Sequence, residues 1–336
     1  MAEAWIPDVL GAPFEQRTLP LGEDAEGELV ATLVRSLPAW RQRMLAPLKD
    51  VDVLYVHGWS DYFFQTELAR AWNELGARFF ALDLRKYGRS MREGQAPGYV
   101  DSLDSYDADI AAALAAMGES VAPGPRRLVL LGHSTGGLVL TLWAARNPGR
   151  ASALILNSPW LELQTGALAR QVLAPLLRAQ ARVAPLAAPP AIDLGFYARA
   201  QGEIGSLPTL EGVEHWRPAL AFPVHPGWLN AIFAGHQQIA AGVDVGCPTL
   251  VLLSARSTPP FRWSDALTST DSVLTVDDIA RAATRIGSLV TLARVEGAIH
   301  DVFLSRAQPR ALAYDIMRSW ARATLTRGGI LRDLLP

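Results

Sequence analysis

The run Leu128-Val129-Leu130-Leu131-Gly132-His133-Ser134-Thr135-Gly136-Gly137 carries an apolar, strand-like segment through Gly-x-Ser-x-Gly and straight into a helical stretch. A serine on so tight a strand-to-helix turn is forced into strained backbone angles and held out above the sheet edge. The flanking glycines are needed because side chains there would collide with the adjoining strand and helix. The helix behind the turn aims its unpaired N–H groups and positive end at the same place, which favours an oxyanion near the amide of Thr135. The chemistry implied is nucleophilic attack by Ser134. The five residues alone recur by chance; a strand before them and a helix after them make the signal specific.

A hydroxyl of ordinary pKa needs a base, and imidazole suits neutral pH. Six histidines compete. His57 and His133 lie inside turn motifs, and His215, His225 and His236 fall in a strand-free segment. His300, in Glu296-Gly297-Ala298-Ile299-His300-Asp301, follows the last expected strand and precedes the last helix, where a parallel sheet carries its functional loops. It is the expected base. A carboxylate should orient it from the loop after Leu250-Leu253. That loop offers Asp265, Asp271, Asp277 and Asp278. Asp271 is favoured because it leads into the apolar Ser272-Val273-Leu274, whereas Asp277 and Asp278 read as first-turn helix acids; Asp265 and Asp277 stay open as alternatives. A second oxyanion donor is expected at Trp59, in Val56-His57-Gly58-Trp59-Ser60, where Gly58 lets the main chain come close. Any β-α loop can carry His-Gly, so this segment is less specific. Tyr62, Phe63 and His133 are expected to line the substrate pocket, although such aromatics also pack one layer on another.

The elements that must hold these groups alternate. Short β-rich runs lie at Leu29-Val34, Val51-Val56, Phe79-Leu84, Leu128-Leu131, Ala153-Leu156, Leu250-Leu253 and Leu289-Val295, separated by helical stretches at Thr66-Leu75, Asp107-Met117, Leu138-Arg146 and Val276-Ile286. A last helix is expected from Arg310 to Thr324. Such alternation implies an α/β fold with a mostly parallel central sheet and helices on both faces. It breaks after Pro159. Roughly 85 residues without a convincing strand follow, carrying nine prolines from Pro159 through Pro226. They read as an inserted helical cap over 159–246, with the core formed by 1–158 and 247–336. The Pro/Ala-rich run at 184–190 suits a hinge or a rigid spacer equally.

The 336 residues suffice for two domains or one large domain with an insertion. Half are hydrophobic and 19% are charged, which excludes a disordered chain. With 31 Lys plus Arg against 33 Asp plus Glu, and the basic residues scattered, nucleic acid is not an expected partner. A lone cysteine, Cys247, forms no intrachain disulfide, and no Cys/His spacing suits a structural zinc. The first residues lack a basic start followed by an apolar run, and no stretch approaches 18 apolar residues. These features lead us to expect a cytoplasmic protein without a membrane-spanning segment; its oligomeric state is not legible.

This constellation resembles the α/β-hydrolase superfamily, within it the monoacylglycerol lipase and lysophospholipase branch of serine aminopeptidase-like hydrolases, over nearly the whole chain. The resemblance rests on His57-Gly58-Trp59-Ser60-Asp61, Asp83-Leu84-Arg85-Lys86-Tyr87-Gly88-Arg89-Ser90, the turn at Ser134, the acid loop and Gly297-Ala298-Ile299-His300-Asp301. It implies that Asp83, Arg85 and Ser90 anchor a loop rather than catalyse. The chain departs from the branch in carrying Asp61-Tyr62-Phe63-Phe64 where lipase members have a second histidine, and in an acid loop lengthened by Thr258-Pro259-Pro260-Phe261-Arg262-Trp263. The expected activity is hydrolysis of a lipophilic carboxylic ester through an acyl-enzyme on Ser134, with a small-molecule ester as partner and no metal or organic cofactor. A C–C bond hydrolase or a perhydrolase would use the same three residues, and a non-catalytic binding protein could retain the fold. Epoxide hydrolases and haloalkane dehalogenases would want Asp at position 134.

Overall fold

A computed structural model describes residues 4–119, 126–163, 175, 178–187 and 194–326. Among them nine strands form one sheet: β1 (Ile6–Pro7), β2 (Glu15–Asp24), β3 (Gly27–Ser36), β4 (Val51–Val56), β5 (Arg78–Asp83), β6 (Arg127–His133), β7 (Ala153–Asn157), β8 (Thr249–Ser254) and β9 (Val290–Val295). Their order is β1-β2-β3-β5-β4-β6-β7-β8-β9. The first three strands and the β3–β5 pair are antiparallel, and every pair from β5 to β9 is parallel.

Period-two alternation explains why the central strands are largely apolar, with their charged residues near the ends: each interior side chain meets one of two helical layers. Val53 and Tyr55 of β4, Leu131 of β6 and Ile155 of β7 share one cluster with Leu68 and Trp72 of α2 (Thr66–Glu74) and Met317 of α8 (Ala307–Leu325). Leu54, Val56, Leu130 and Leu154 point the other way. They pack with Ile110 of α3 (Tyr106–Glu119), Leu138 and Leu142 of α4 (Thr135–Arg146), Ile232 of α6 (Pro226–Ala241) and Ile279 of α7 (Val276–Ala283). Helices α1 (Trp40–Leu45) and α5 (Phe196–Ile204) lie in the connections before β4 and β8, and residues 178–183 are also helical.

The seven expected strands are present within about two residues at each end. Two were not expected. β2 contains Pro20 and Gly22 and shifts register between them, and β1 is two residues long, so neither carries the apolar run of a doubly covered strand. The segment 159–246 holds no strand among its described residues, but it is not uniform. Helix α6 lies in the core: a Cβ on Gly235 would stand 2.8 Å from Leu103 and 3.2 Å from Leu142. It lies within the connection from β7 to β8, and its apolar residues Trp228, Ile232 and Ile239 share the cluster on that face of the sheet. Parts of the segment, including 188–190 of the Pro/Ala-rich run, lie outside the described residues, as do residues 1–3. No helix among the described residues is long and apolar enough to cross a membrane.

The loop after β5 is an ion-pair knot. Asp83 accepts from the amides of Phe63 (2.9 Å) and Arg89 (3.1 Å) and from the Arg89 guanidinium at 2.8 Å. Arg89 also forks onto both oxygens of Asp8, at 2.6 and 2.9 Å, with all three side chains buried. Arg85 pairs with Asp109, and Ser90 donates to the Asp83 carbonyl. Replacing Arg89 by Ala would strand two buried carboxylates. We expect a loss of about 3–5 kcal/mol of stability, read as a lower urea midpoint with an unchanged slope.

Candidate active site

Ser134 is the hinge between β6 and α4. Its φ of 51° and ψ of −116° lie where a side chain is rarely tolerated. The neighbouring glycines show why. A Cβ on Gly132 would stand 2.7 Å from the backbone of Gly136 and Gly137, and one on Gly136 would overlap the carbonyls of Val56 and His57. The turn is clamped by hydrogen bonds: the Ser134 amide donates to Asn157 O at 3.0 Å, and Ser134 O accepts from Gly137, Leu138 and Trp160.

The structure brings the three expected residues together. His300 Nε2 lies 3.0 Å from Ser134 Oγ, and its Nδ1 lies 2.9 Å from Asp271 Oδ2. Asp271, with its side chain wholly buried, also accepts the amides of Val273 (2.8 Å) and Leu274 (2.7 Å) on its other oxygen. An ionised carboxylate only accepts, so Nδ1 carries the imidazole proton and Nε2 is free to take one from the serine. The lengthened acid loop is pinned where it matters: Asp271 N donates to Arg256 O and Asp271 O accepts from Thr258 N, both at 2.9 Å. The other candidate acids are elsewhere. Asp265 is exposed in a short 3-10 turn, while Asp277 and Asp278 pair with Arg294 and Arg281 on the surface.

The remaining histidines have other occupations. His57 accepts the Leu84 amide, His225 faces Ala187 O and His236 faces Trp160 O; His215 is exposed. Burial pushes the Cys247 thiol up to about 12, so it offers no competing nucleophile.

A cavity of about 520 Å³ opens over Ser134 and His300, walled by Trp59, His133, Phe196, Tyr197, Phe261 and Leu304 among others. Trp59 thus lines the site, and Gly58 brings that loop close: its Cβ would stand 3.1 Å from Ser134 Cβ. Thr135 is the first residue of α4, one of the positions whose amide has no partner within the helix. Of the expected pocket residues His133 is at the cavity, with its ring 4.9 Å from that of His300. Tyr62 and Phe63 are not. Phe63 is fully buried against Tyr55 and Phe79 because its amide is tied to Asp83, and Tyr62 packs with Phe64 and Trp216.

Sequence reasoning missed residues that reach the site from distant segments. Asp301 accepts from Asn157 Nδ2 (2.7 Å) and from the Phe303 amide (3.0 Å), while Asn157 Oδ1 accepts the Val302 amide. Tyr197, Gln201 and Arg217 come from the inserted segment, with the Tyr197 ring 5.7 Å from His300.

The family model described as serine aminopeptidase, S33, matches residues 49–257. The chain belongs to that family. The match takes in Ser134 and the Trp59 loop and stops before Asp271 and His300. Lysophospholipase L2 of Escherichia coli K12 is 30% identical over 215 residues, 57% of this chain and 59% of the relative. A monoacylglycerol lipase of Mycolicibacterium smegmatis is 28% identical over 138 residues, 41% and 45% of the two chains. The match therefore spans about three fifths or less of these curated relatives. A soluble variant of monoglyceride lipase from Saccharomyces cerevisiae superposes with a TM-score of 0.65 at 15% identity, covering 92% of this chain and 97% of that one. Monoacylglycerol lipase of Paleococcus ferrophilus gives 0.62 at 16%, covering 88% and 99%. These likenesses show the α/β-hydrolase fold.

His133, immediately before the S33 chain's elbow serine, titrates low. Burial lowers its pKa most and the neighbouring His300 adds to this, against the opposing pull of Asp301. The folded state therefore resists a proton that the unfolded state binds below about pH 6.5. Stability should fall as pH drops below that value and be flat above it. His133→Gln should flatten the acid limb in urea titrations run from pH 7 to pH 5.

Proposed function

We propose that the protein is a serine hydrolase that cleaves a carboxylic ester through an acyl-enzyme on Ser134. The observation that carries this reading is the unbroken chain Ser134–His300–Asp271, at 3.0 and 2.9 Å, on the floor of the cavity. His300 takes the Ser134 proton as Oγ attacks the carbonyl, and Asp271 stabilises the resulting imidazolium. The amides of Thr135 and Trp59 receive the oxyanion, a contribution of about 3 kcal/mol per donor in such sites. His300 then protonates the departing alcohol, and a water activated by the same imidazole releases the acid. No metal or organic cofactor enters these steps.

A lipophilic acyl group is favoured by the walls, which include Trp59, Leu194, Phe196, Phe261 and Leu304. The printed activities of the relatives, a lysophospholipase and a monoacylglycerol lipase, point the same way. An aminopeptidase would need an unpaired carboxylate for a free amino group. Of the cavity's carboxylates, Asp61 is neutralised by Arg217 and Asp301 is bonded to Asn157 and the Phe303 amide. Glu203 pairs with Arg199, while Glu211 and Glu214 are exposed and stand apart from the cavity lining. With one buried cysteine and no need of a disulfide, the protein suits a reducing compartment, and we propose the cytoplasm.

Hydrolysis of p-nitrophenyl esters from acetate to palmitate tests the reading. Ser134→Ala and His300→Ala should each lower kcat by about 10⁴-fold or more, and a long-chain optimum is expected. A wild type as inert as Ser134→Ala across the series would overturn ester hydrolysis and favour a binding protein.

A further inference from the structure

The inserted segment does more than roof the cavity. The amide of Asp301, the residue after His300, donates to the Tyr197 hydroxyl oxygen at 3.1 Å. Gln201 Nε2, one helical turn along α5, donates to the same oxygen at 3.3 Å. Gln201 Oε1 accepts from Arg217 Nη2 at 2.6 Å, and Arg217 Nε donates to Asp61 Oδ1 at 2.9 Å. Asp61 lies two residues beyond Trp59. The bonds thus run without a break from the neighbour of the base to the loop of the oxyanion amide, and Asp61, Tyr197, Gln201, Arg217 and Asp301 all face the cavity.

Other contacts strengthen both ends. Ser60, held at the unusual φ of 52°, accepts the Phe222 amide of the inserted segment at 3.1 Å, so two successive residues of the Trp59 loop are anchored to it. At the opposite end the Tyr197 ring meets His300 edge-on. Gln201 is fully buried, and the carboxylates of Asp61 and Asp301 are nearly so. A buried amide or guanidinium that loses one partner must find another, so a break at one link shifts the rest.

We propose that Tyr197, Gln201 and Arg217 are positioning residues for the reaction, setting His300 and the Trp59 amide in register through a hydrogen-bonded relay across the inserted segment. This rests on the serine hydrolase reading and adds to it that the segment is part of the catalytic frame. Residues that merely contact the alcohol would act on KM; a relay acts on the transition state, and on any reagent that Ser134 attacks.

The test is the second-order rate of Ser134 phosphorylation by diethyl p-nitrophenyl phosphate, measured with kcat and KM for p-nitrophenyl butyrate and with thermal melts. Tyr197→Phe keeps the ring over His300 and removes the shared acceptor. Gln201→Glu keeps the acceptor for Arg217 and removes the donor to Tyr197, and it serves independently should the first variant fold poorly. Each should slow phosphorylation and lower kcat roughly tenfold, the scale of a small misplacement of reacting groups, with KM little changed. The double variant should be no slower than the worse single, because both break one chain. Raised KM with wild-type phosphorylation would overturn the relay, as would effects that multiply in the double variant. A wild type that is not phosphorylated on Ser134 would instead overturn the hydrolase reading itself.

Discussion

The left-handed backbone at Ser134 is the constraint around which the site is arranged. A non-glycine residue at φ 51° is held there only if its surroundings over-determine it. Here they do. β6 delivers the chain, α4 leaves at once, Gly132 and Gly136 remove the side chains that would separate them, and Asn157 O holds the Ser134 amide. The same close approach fixes the second loop. Gly136 rests on the carbonyls at the end of β4, and Gly58 rests on Ser134 itself, so any displacement of the elbow carries the Trp59 loop with it.

Two carboxylates flank His300, and they differ in their partners. Asp271 gives one oxygen to two backbone amides and the other to the imidazole, which leaves it able to respond to a charge on His300. Asp301 is consumed by structure: Asn157, the Phe303 amide and Gln65 take its oxygens. Asn157 closes the circuit, since its carbonyl holds Ser134 while its side chain holds Asp301 and the Val302 amide. Ser134 and the His300 loop are thus tied through one fully buried residue at the end of β7. Burying Asp301 is tolerable only because its donors replace water.

What could be read in the sequence follows from the range of each signal. The central strands are legible because burial on both faces makes them largely apolar, as in Val51–Val56, where all six residues are buried and Asp52 alone is charged. The turn at Ser134 is legible because glycine requirements are local, and His300 because chain order assigns it to the active edge. Asp271 stood among four acids. It is distinguished by a backbone bridge to Ser257, which no local pattern announces. Asn157, Tyr197 and Arg217 were missed for the same reason, for their partners lie 144, 104 and 156 residues away. Tyr62 and Phe63 show the opposite error: adjacency to the Trp59 loop suggested the cavity, but the tie from Phe63 N to Asp83 turns that segment into the core.

The cavity combines an apolar wall with a polar one in which the Asp61 carboxylate is balanced by Arg217. Trp59 illustrates how: its ring lies tilted against Trp228 of α6, with centroids 3.7 Å apart, and meets Phe222 edge-on, while the residue also lines the cavity beside Ser134. The Asp61–Arg217 pair sits beside it, largely withdrawn from solvent. A lone arginine there would attract anions and a lone aspartate would pull on the imidazolium. Paired, they present directed hydrogen bonds with little net field. That leaves Asp271 as the carboxylate bonded to the His300 ring, so in the proposed reaction the polar wall orients without adding a competing charge from the Asp61–Arg217 pair.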